Sequence, residues 1–129
     1  MERNRREHDD EDLETGADDG FGNDTRRGEL GDANLLVLDA GDQFQGSLFY
    51  SMFKSGPVAD FMNGIRFDAM AIGNHEFDDG PQELLKFIDA AEFPIISGNT
   101  KAAEGSILTG KYEPYIIKEM GGEKVAVVS

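Results

Sequence analysis

The sequence predicts an α/β domain with the element order β-α-β-α-β-β over residues 34–129, preceded by an acidic tail over residues 1–33. Short, continuous apolar runs alternate with amphipathic helical segments, which is typical of parallel strands joined by right-handed crossovers. Charge and glycine are concentrated before residue 34, where the apolar residues show no periodicity. A chain of 129 residues has room for one such domain.

The tail over residues 1–33 contains 12 acidic residues, 5 basic residues and five glycines. We expect it to be disordered, because it cannot bury enough apolar surface to offset the entropy of ordering. A cation-binding tail fused to an inert domain is an alternative, although the carboxylates of the tail lack the spacing of an EF-hand calcium loop.

The predicted elements follow one another from Asn34 onward. NLLVLDAGD reads as a buried parallel strand, and SLFYSMF and PVADFMNGI read as two short helices, the second with Pro57 in its first turn. DAMAIG predicts a second buried strand, and PQELLKFIDAAE predicts an amphipathic helix that begins near Pro81. FPIISGN predicts a third strand, and PYIIKEM and KVAVVS predict a pair around the turn GGEK. The uncovered edge of the last strand predicts exposed apolar surface and a tendency to aggregate.

Composition excludes several classes of function. The net charge of −14 argues against binding to nucleic acid or to an anionic membrane, because phosphates would be repelled, but it is compatible with divalent cations. The absence of cysteine excludes disulfides, zinc fingers and thiol catalysis. No apolar run approaches the roughly 18 residues that span a membrane, and no signal peptide is visible at the start, so the residues leave the compartment undetermined.

Polar side chains follow each of the first three predicted strands. Since ligands bind at the carboxyl ends of strands in open α/β sheets, we expect LDAGDQFQGS and AIGNHEFDDG to be neighbours at one edge of the sheet. The residues at these strand ends are Asp39, Asp42, Asn74, His75, Glu76, Asp78 and Asn99.

Four of these residues suit a divalent-metal site. Asp42 can bridge two cations with its two oxygens, and the amide oxygen of Asn74 is a neutral, hard ligand. His75 can hydrogen-bond an anionic group or act as a general acid, and Asp78 can hold its imidazole in one tautomer. The alternative is that these are solvated turn residues, as single His and Asp-Gly pairs often are. Two such loops after successive buried strands favour the site.

The segments LLVLDAGDQFQGS, DAMAIGNHEFDDG and FPIISGN resemble the 5′-nucleotidase family of the calcineurin-like metallophosphoesterases, closest in wording to the animal ecto-5′-nucleotidases. The resemblance covers residues 34–129 and implies a partial metallophosphoesterase sandwich. It also implies hydrolysis of nucleoside 5′-monophosphates by two divalent metal ions, with zinc expected first and manganese, magnesium or cobalt as alternatives. Asp42 would bridge the metals, Asn74 would bind the second metal, and His75 would contact the phosphate with support from Asp78. Glu76 is expected to anchor the loop, Asp39 to form strand-end hydrogen bonds, and Asn99 to lie in a turn or at the rim.

The chain also departs from the family pattern. It contains no Asp-x-His motif and none of the later histidine ligands or the nucleotide-binding domain, so we expect a fragment with little or no activity when made alone. Alternatives are a truncated, non-catalytic α/β module or a related phosphohydrolase such as a UDP-sugar hydrolase, apyrase or cyclic-nucleotide phosphodiesterase. The resemblance implies an extracellular, cell-surface or periplasmic location, and leaves dimerisation of full-length relatives open.

Overall fold

The computed structural model describes residues 23–31 and 34–129, so most of the predicted acidic tail lies outside the described residues. The described part contains four α-helices, five strands and one 3₁₀ turn. Their bounds, in chain order, are α1 Asn23–Leu30, β1 Leu38–Asp39, α2 Leu48–Phe53, α3 Ser55–Ile65, β2 Ala69–Ala71, the 3₁₀ turn His75–Phe77, α4 Pro81–Ala90, β3 Ile95–Ile96, β4 Tyr115–Met120 and β5 Glu123–Val128.

The predicted α/β class is confirmed, with the strands divided between two sheets. Strands β1, β2 and β3 form a parallel sheet in that order, and β4 and β5 form an antiparallel hairpin. The two sheets are connected where Glu113 forms a parallel bridge with Ile96 at the end of β3. A cavity of about 260 Å³ is lined by residues of both sheets. This arrangement is a partial sandwich.

Helix α1 differs from the prediction of a disordered tail. Arg27 donates a hydrogen bond of 2.9 Å to the Asp68 carboxylate and another of 2.9 Å to the Arg66 carbonyl. These partners are about 40 residues away in the chain, so the sequence around Arg27 does not predict the contact. Asn23–Leu30 therefore form a helix that contacts the domain, and the disorder predicted for residues 1–22 lies outside the described residues.

The core lies between the parallel sheet and helices α2, α3 and α4. Helix α4 contributes Leu84 and Phe87, both fully buried, and it begins with Pro81 at its first position as predicted. Phe87 packs edge-on against Phe44, which follows β1, with ring centroids 5.2 Å apart. The helices thus hold the loop after β1 against the end of β2. By contrast, apolar side chains on the outer surface are exposed, including those of Ile117 and Val128 on the hairpin.

Candidate functional site

The site lies where β1 and β2 end, because the two strands are parallel neighbours. Leu38 is in register with Ala69, and Asp39 with Met70. The loop after β1, residues 40–47, therefore leaves the sheet beside the loop after β2, residues 72–80. We call these the first loop and the second loop.

Two glycines let the loops touch through their backbones. A Cβ atom on Gly41 would lie 2.5 Å from the Gly73 nitrogen and 2.7 Å from the Ala71 carbonyl oxygen. A Cβ on Gly73 would lie 2.7 Å from the Asp42 nitrogen. Real side chains do not tolerate such distances, so glycine at both positions is a requirement of the loop contact. The predicted proximity of the two motifs is present in the structure.

The buried side chain of Glu76 connects the two loops through hydrogen bonds. Its side chain is fully buried and accepts hydrogen bonds from three backbone N–H groups. The donors are Asp42 at 2.9 Å and Gln43 at 2.6 Å in the first loop, and Gly73 at 2.7 Å in the second. A buried carboxylate needs hydrogen-bond donors to offset the cost of leaving water, and these three amide groups provide them. Glu76 is thus the loop anchor that the sequence predicted.

Asp42 and His75 meet at the surface of this junction. The backbone N–H of His75 donates to Oδ1 of Asp42 over 3.1 Å, and the Asp42 side chain remains exposed. Asp42 has a positive φ of 63°, a conformation that non-glycine residues adopt rarely and usually at constrained sites. Asn74 precedes His75 and is also exposed, so both predicted oxygen ligands lie on this rim.

His75 and Asp78 form a pair across the 3₁₀ turn. Nδ1 of His75 lies 2.7 Å from Oδ2 of Asp78, and the two side chains are 44% and 39% exposed. The hydrogen bond to Asp78 raises the pKa of His75 above its ordinary value, and the charges of Asp42 and Glu76 act in the same direction against partial desolvation. Because Nδ1 faces Asp78, Nε2 is the ring nitrogen directed elsewhere. The pair can therefore present a protonated Nε2 to an anion.

The remaining strand-end residues have local roles. Asp39 accepts hydrogen bonds from the backbone N–H of Gly41 at 2.8 Å and from the side-chain amide of Gln43 at 3.0 Å, as expected of a strand-end residue. Asn99 accepts hydrogen bonds from Ser97 and Thr100, which is the behaviour of a turn residue. Asp39 and Asn99 thus form local hydrogen bonds near the strand ends.

The oxygen donors present fit part of a metal site. Carboxylate and amide oxygens suit hard or borderline divalent cations, and Asp42 and Asn74 supply one of each. Within residues 23–31 and 34–129, no group of three His, Cys, Asp or Glu side chains is arranged to hold a metal ion. The described residues therefore contribute two candidate ligands. In the same part of the chain, no helix has the length and apolar character needed to cross a membrane.

One pair of interactions near the site was not predicted. Tyr50 in α2 donates a hydrogen bond of 2.7 Å to Asp79 at the end of the second loop, and Lys54 forms an ion pair of 3.0 Å with the same carboxylate. The sequence offers no indication of this contact, because Tyr50 and Asp79 are 29 positions apart.

Comparison with solved structures identifies the class of fold. The chain superposes on the NAD nucleotidase of Haemophilus influenzae with a TM-score of 0.75 and 37% identity, covering 81% of this chain and 20% of that one. It superposes on the calcineurin-like phosphoesterase YfkN of Bacillus subtilis with a TM-score of 0.57 and 28% identity, covering 81% and 35%. The described residues thus form part of a calcineurin-like phosphoesterase fold.

Sequence comparison narrows this class. The chain is 47% identical to human 5′-nucleotidase over 98 residues, and 46% identical over 98 residues to the snake venom 5′-nucleotidase of Crotalus adamanteus. The matched three quarters of the chain belongs to the 5′-nucleotidase family, as its motifs predicted. Each alignment spans 74% of this chain and 17% of the relative's own length. No family model matches the chain.

Proposed function

We propose that this chain supplies part of the active site of a metal-dependent phosphomonoesterase that hydrolyses nucleoside 5′-monophosphates, such as AMP, to the nucleoside and phosphate. One observation carries the proposal. The exposed Asp42, Asn74 and the His75–Asp78 pair lie on one rim, at a junction held rigid by the buried Glu76.

Charge supports a role for cations at this rim. The first and second loops contain the carboxylates of Asp42, Glu76, Asp78 and Asp79 but a single ionisable base, His75. A phosphate monoester would be repelled unless bound cations reversed the local charge. Asp42 and Asn74 would hold two divalent ions, with zinc as the first expectation and manganese, magnesium or cobalt as alternatives. Such ions would supply Lewis-acid polarisation of the phosphoryl group.

The protein's own contribution is the orientation of His75. Asp78 holds Nδ1, so Nε2 is the ring nitrogen left to donate a hydrogen bond to a phosphoryl oxygen. Negative charge is spread over the phosphoryl oxygens in the transition state of phosphoryl transfer, and a fixed donor aimed at one of them can stabilise that state. The hydrogen bond to Asp78 raises the pKa of His75, which favours the protonated imidazole that this donor requires.

A chimaera tests this role. The matched 98 residues replace their counterpart in human 5′-nucleotidase, and phosphate release from AMP is measured with zinc or manganese. His75→Ala should lower kcat by about 10²–10⁴-fold, the range for a general acid or a transition-state donor. Lys101→Ala, at an exposed position outside both loops, is the control. Normal turnover by His75→Ala would remove this residue from the mechanism.

Metal loading is measured separately from turnover. Asp42→Ala should strongly reduce the metal content of the purified chimaera, because it removes the proposed bridging carboxylate. His75→Ala should retain the metal, because its proposed role is toward the phosphate. Full metal content in Asp42→Ala would contradict the assignment of Asp42 as a ligand.

Two further measurements concern the substrate of the chimaera and the activity of the isolated chain. A neighbouring structure is a NAD nucleotidase, so UDP-sugars, nucleoside polyphosphates, cyclic nucleotides and NAD belong in the chimaera's substrate panel. The 129-residue chain alone should behave as a non-catalytic module, since two candidate ligands are present in its described part. Phosphate release well above a His75→Ala control would overturn that expectation. By family resemblance we propose an extracellular or cell-surface location.

A further inference from the structure

We propose that Tyr50 is a positioning residue for the His75–Asp78 pair, acting through its hydrogen bond to Asp79. The inference rests on the proposed function, because it concerns the same site. It is independent of the motifs, since Tyr50 lies in α2 and neither loop contains it.

Tyr50 contacts both loops at once. Its ring stacks on Phe44 of the first loop, with centroids 5.1 Å apart and planes inclined by 26°, and both side chains are buried. Its hydroxyl donates to Oδ2 of Asp79 in the second loop over 2.7 Å. The side chain of Tyr50 therefore contacts both loops from the core side, while Glu76 joins them through backbone amides.

The second loop is attached to its surroundings before and after Asp78. The N–H of His75 and the side chain of Glu76 bond to the first loop, and Asp79 bonds to Tyr50. Glu76 connects the beginning of the second loop to the first loop, because its carboxylate accepts the N–H groups of Gly73, Asp42 and Gln43. Asp79, which Tyr50 holds, fixes its end and directly follows Asp78. A shift of Asp79 would be transmitted through one peptide bond to the carboxylate that orients His75. Without the hydrogen bond from Tyr50, Asp79 would keep only its ion pair with Lys54, and Asp78 would otherwise be held by the hydrogen bonds of the 3₁₀ turn and by its contact with His75.

The surroundings of Tyr50 and Asp79 favour the protonation states that their hydrogen bond requires. Burial raises the pKa of Tyr50 well above its ordinary value, and the hydrogen bond to Asp79 adds to the effect, so the hydroxyl stays a donor. The same bond lowers the pKa of Asp79, with help from Lys54, so the acceptor stays ionised. A donor and a charged acceptor form one of the stronger kinds of hydrogen bond.

The full 129-residue chain provides a test that does not depend on activity. Tyr50→Phe keeps the ring in the core and removes only the hydroxyl. We expect hydrogen exchange of the Asp78 and Gly80 amides to accelerate by about tenfold, with the β4–β5 amides unchanged. At a fixed pH where His75 is neutral, the ¹⁵N shifts of its ring should show a smaller share of the Nδ1–H tautomer.

Controls separate positioning from general stability. Tyr112→Phe removes a hydroxyl that donates to the Thr100 carbonyl over 3.4 Å, remote from the loops, and should change neither observable. Asp79→Asn keeps an oxygen acceptor for Tyr50 but loses the charge, so its effect should lie between those of the unsubstituted chain and Tyr50→Phe. Asp79→Ala also removes the ion pair with Lys54 and should have an effect at least as large as that of Tyr50→Phe.

The outcomes distinguish this inference from the proposed function. In the chimaera, Tyr50→Phe should lower kcat by about tenfold with little change in KM, as loss of a supporting hydrogen bond often does. Exchange, ring shifts and kcat that match those of Tyr112→Phe would overturn the positioning role, even if His75→Ala is inactive. If the chimaera with His75→Ala is fully active, the proposed function fails. The positioning of the His75–Asp78 pair by Tyr50 is still supported if Tyr50→Phe changes the amide exchange and the ring shifts of His75 as expected.

Discussion

Replacing the buried Glu76 with glutamine should destabilise the whole domain, although the side chain keeps its size. The carboxylate has two oxygens that accept three N–H groups. Glutamine has one oxygen and one NH₂ group, so it cannot accept in both places. In its better orientation it keeps the bonds from Asp42 and Gly73 and turns its NH₂ toward the N–H of Gln43. That contact brings two donors together.

The size of the effect follows from these contacts. A hydrogen bond to a charged group contributes about 1.5–3 kcal/mol, and a buried donor without an acceptor costs about 1–3 kcal/mol. Glu76→Gln loses one such bond outright and weakens two by removing the charge. We therefore expect a loss of about 2–4 kcal/mol in the free energy of unfolding, a large fraction of the 5–15 kcal/mol typical of a domain.

Urea unfolding followed by circular dichroism measures this loss. The matched control is Glu104→Gln, at an exposed position, which should stay within about 0.5 kcal/mol of the unsubstituted chain. Hydrogen exchange at Gln43 should accelerate most, because its N–H loses its acceptor in the favoured orientation. Equal unfolding free energies for Glu76→Gln and Glu104→Gln would refute the assignment of Glu76 as the anchor of both loops.

Two further predictions concern the backbone junction and the contact of α1. Gly41→Ala should lower the free energy of unfolding by at least about 1–2 kcal/mol from its positive φ of 91° alone, as measured by urea unfolding. Gly64→Ala is the control, because a Cβ there meets open space and should cause little loss of stability. Equal effects of the two substitutions would contradict the steric argument. Burial raises the pKa of Asp68, but hydrogen bonds from Lys118, the backbone of Val37 and Arg27 outweigh it and leave the pKa below its ordinary value. The folded-state pKa is thus depressed, so this stabilisation is present above the unfolded pKa of about 3.9 and is lost as pH falls through the folded pKa. In urea titrations below about pH 5, the unsubstituted chain should therefore lose stability more steeply than Asp68→Asn, and parallel curves would contradict this.

The sequence predicted the order of the elements well because their apolar patterns are local. The helix at Pro81–Ala90 and the hairpin of β4 and β5 lie where the spacing of apolar residues places them. Strand β1 is shorter than predicted, at two residues, and within the described residues it pairs on one side only, with β2. Strand length depends on paired neighbours as well as on composition.

Helix α1 and the Tyr50–Asp79 contact were beyond sequence reasoning for one shared reason. Arg27 pairs with Asp68 across 41 positions, and Tyr50 pairs with Asp79 across 29. A charged residue in an acidic tail and a tyrosine in a short apolar helix each have many compatible partners. Only the folded chain selects one of them.

The sequence by itself determined which residue types stand at the ends of the strands, and hence the chemistry that this rim can perform. Carboxylate, amide and imidazole groups after two successive buried strands already indicated the class of site. Tertiary structure alone decided how these groups are held. Most of the hydrogen bonds that hold the rim join residues 29 or more positions apart: His75 to Asp42, Asp42 and Gln43 to Glu76, and Tyr50 to Asp79. The exception is the bond from Gly73 to Glu76, which lies within the second loop. Such contacts require the packing of α2, α3 and α4 on the sheet, because hydrogen bonds form only between groups that the core has already brought together.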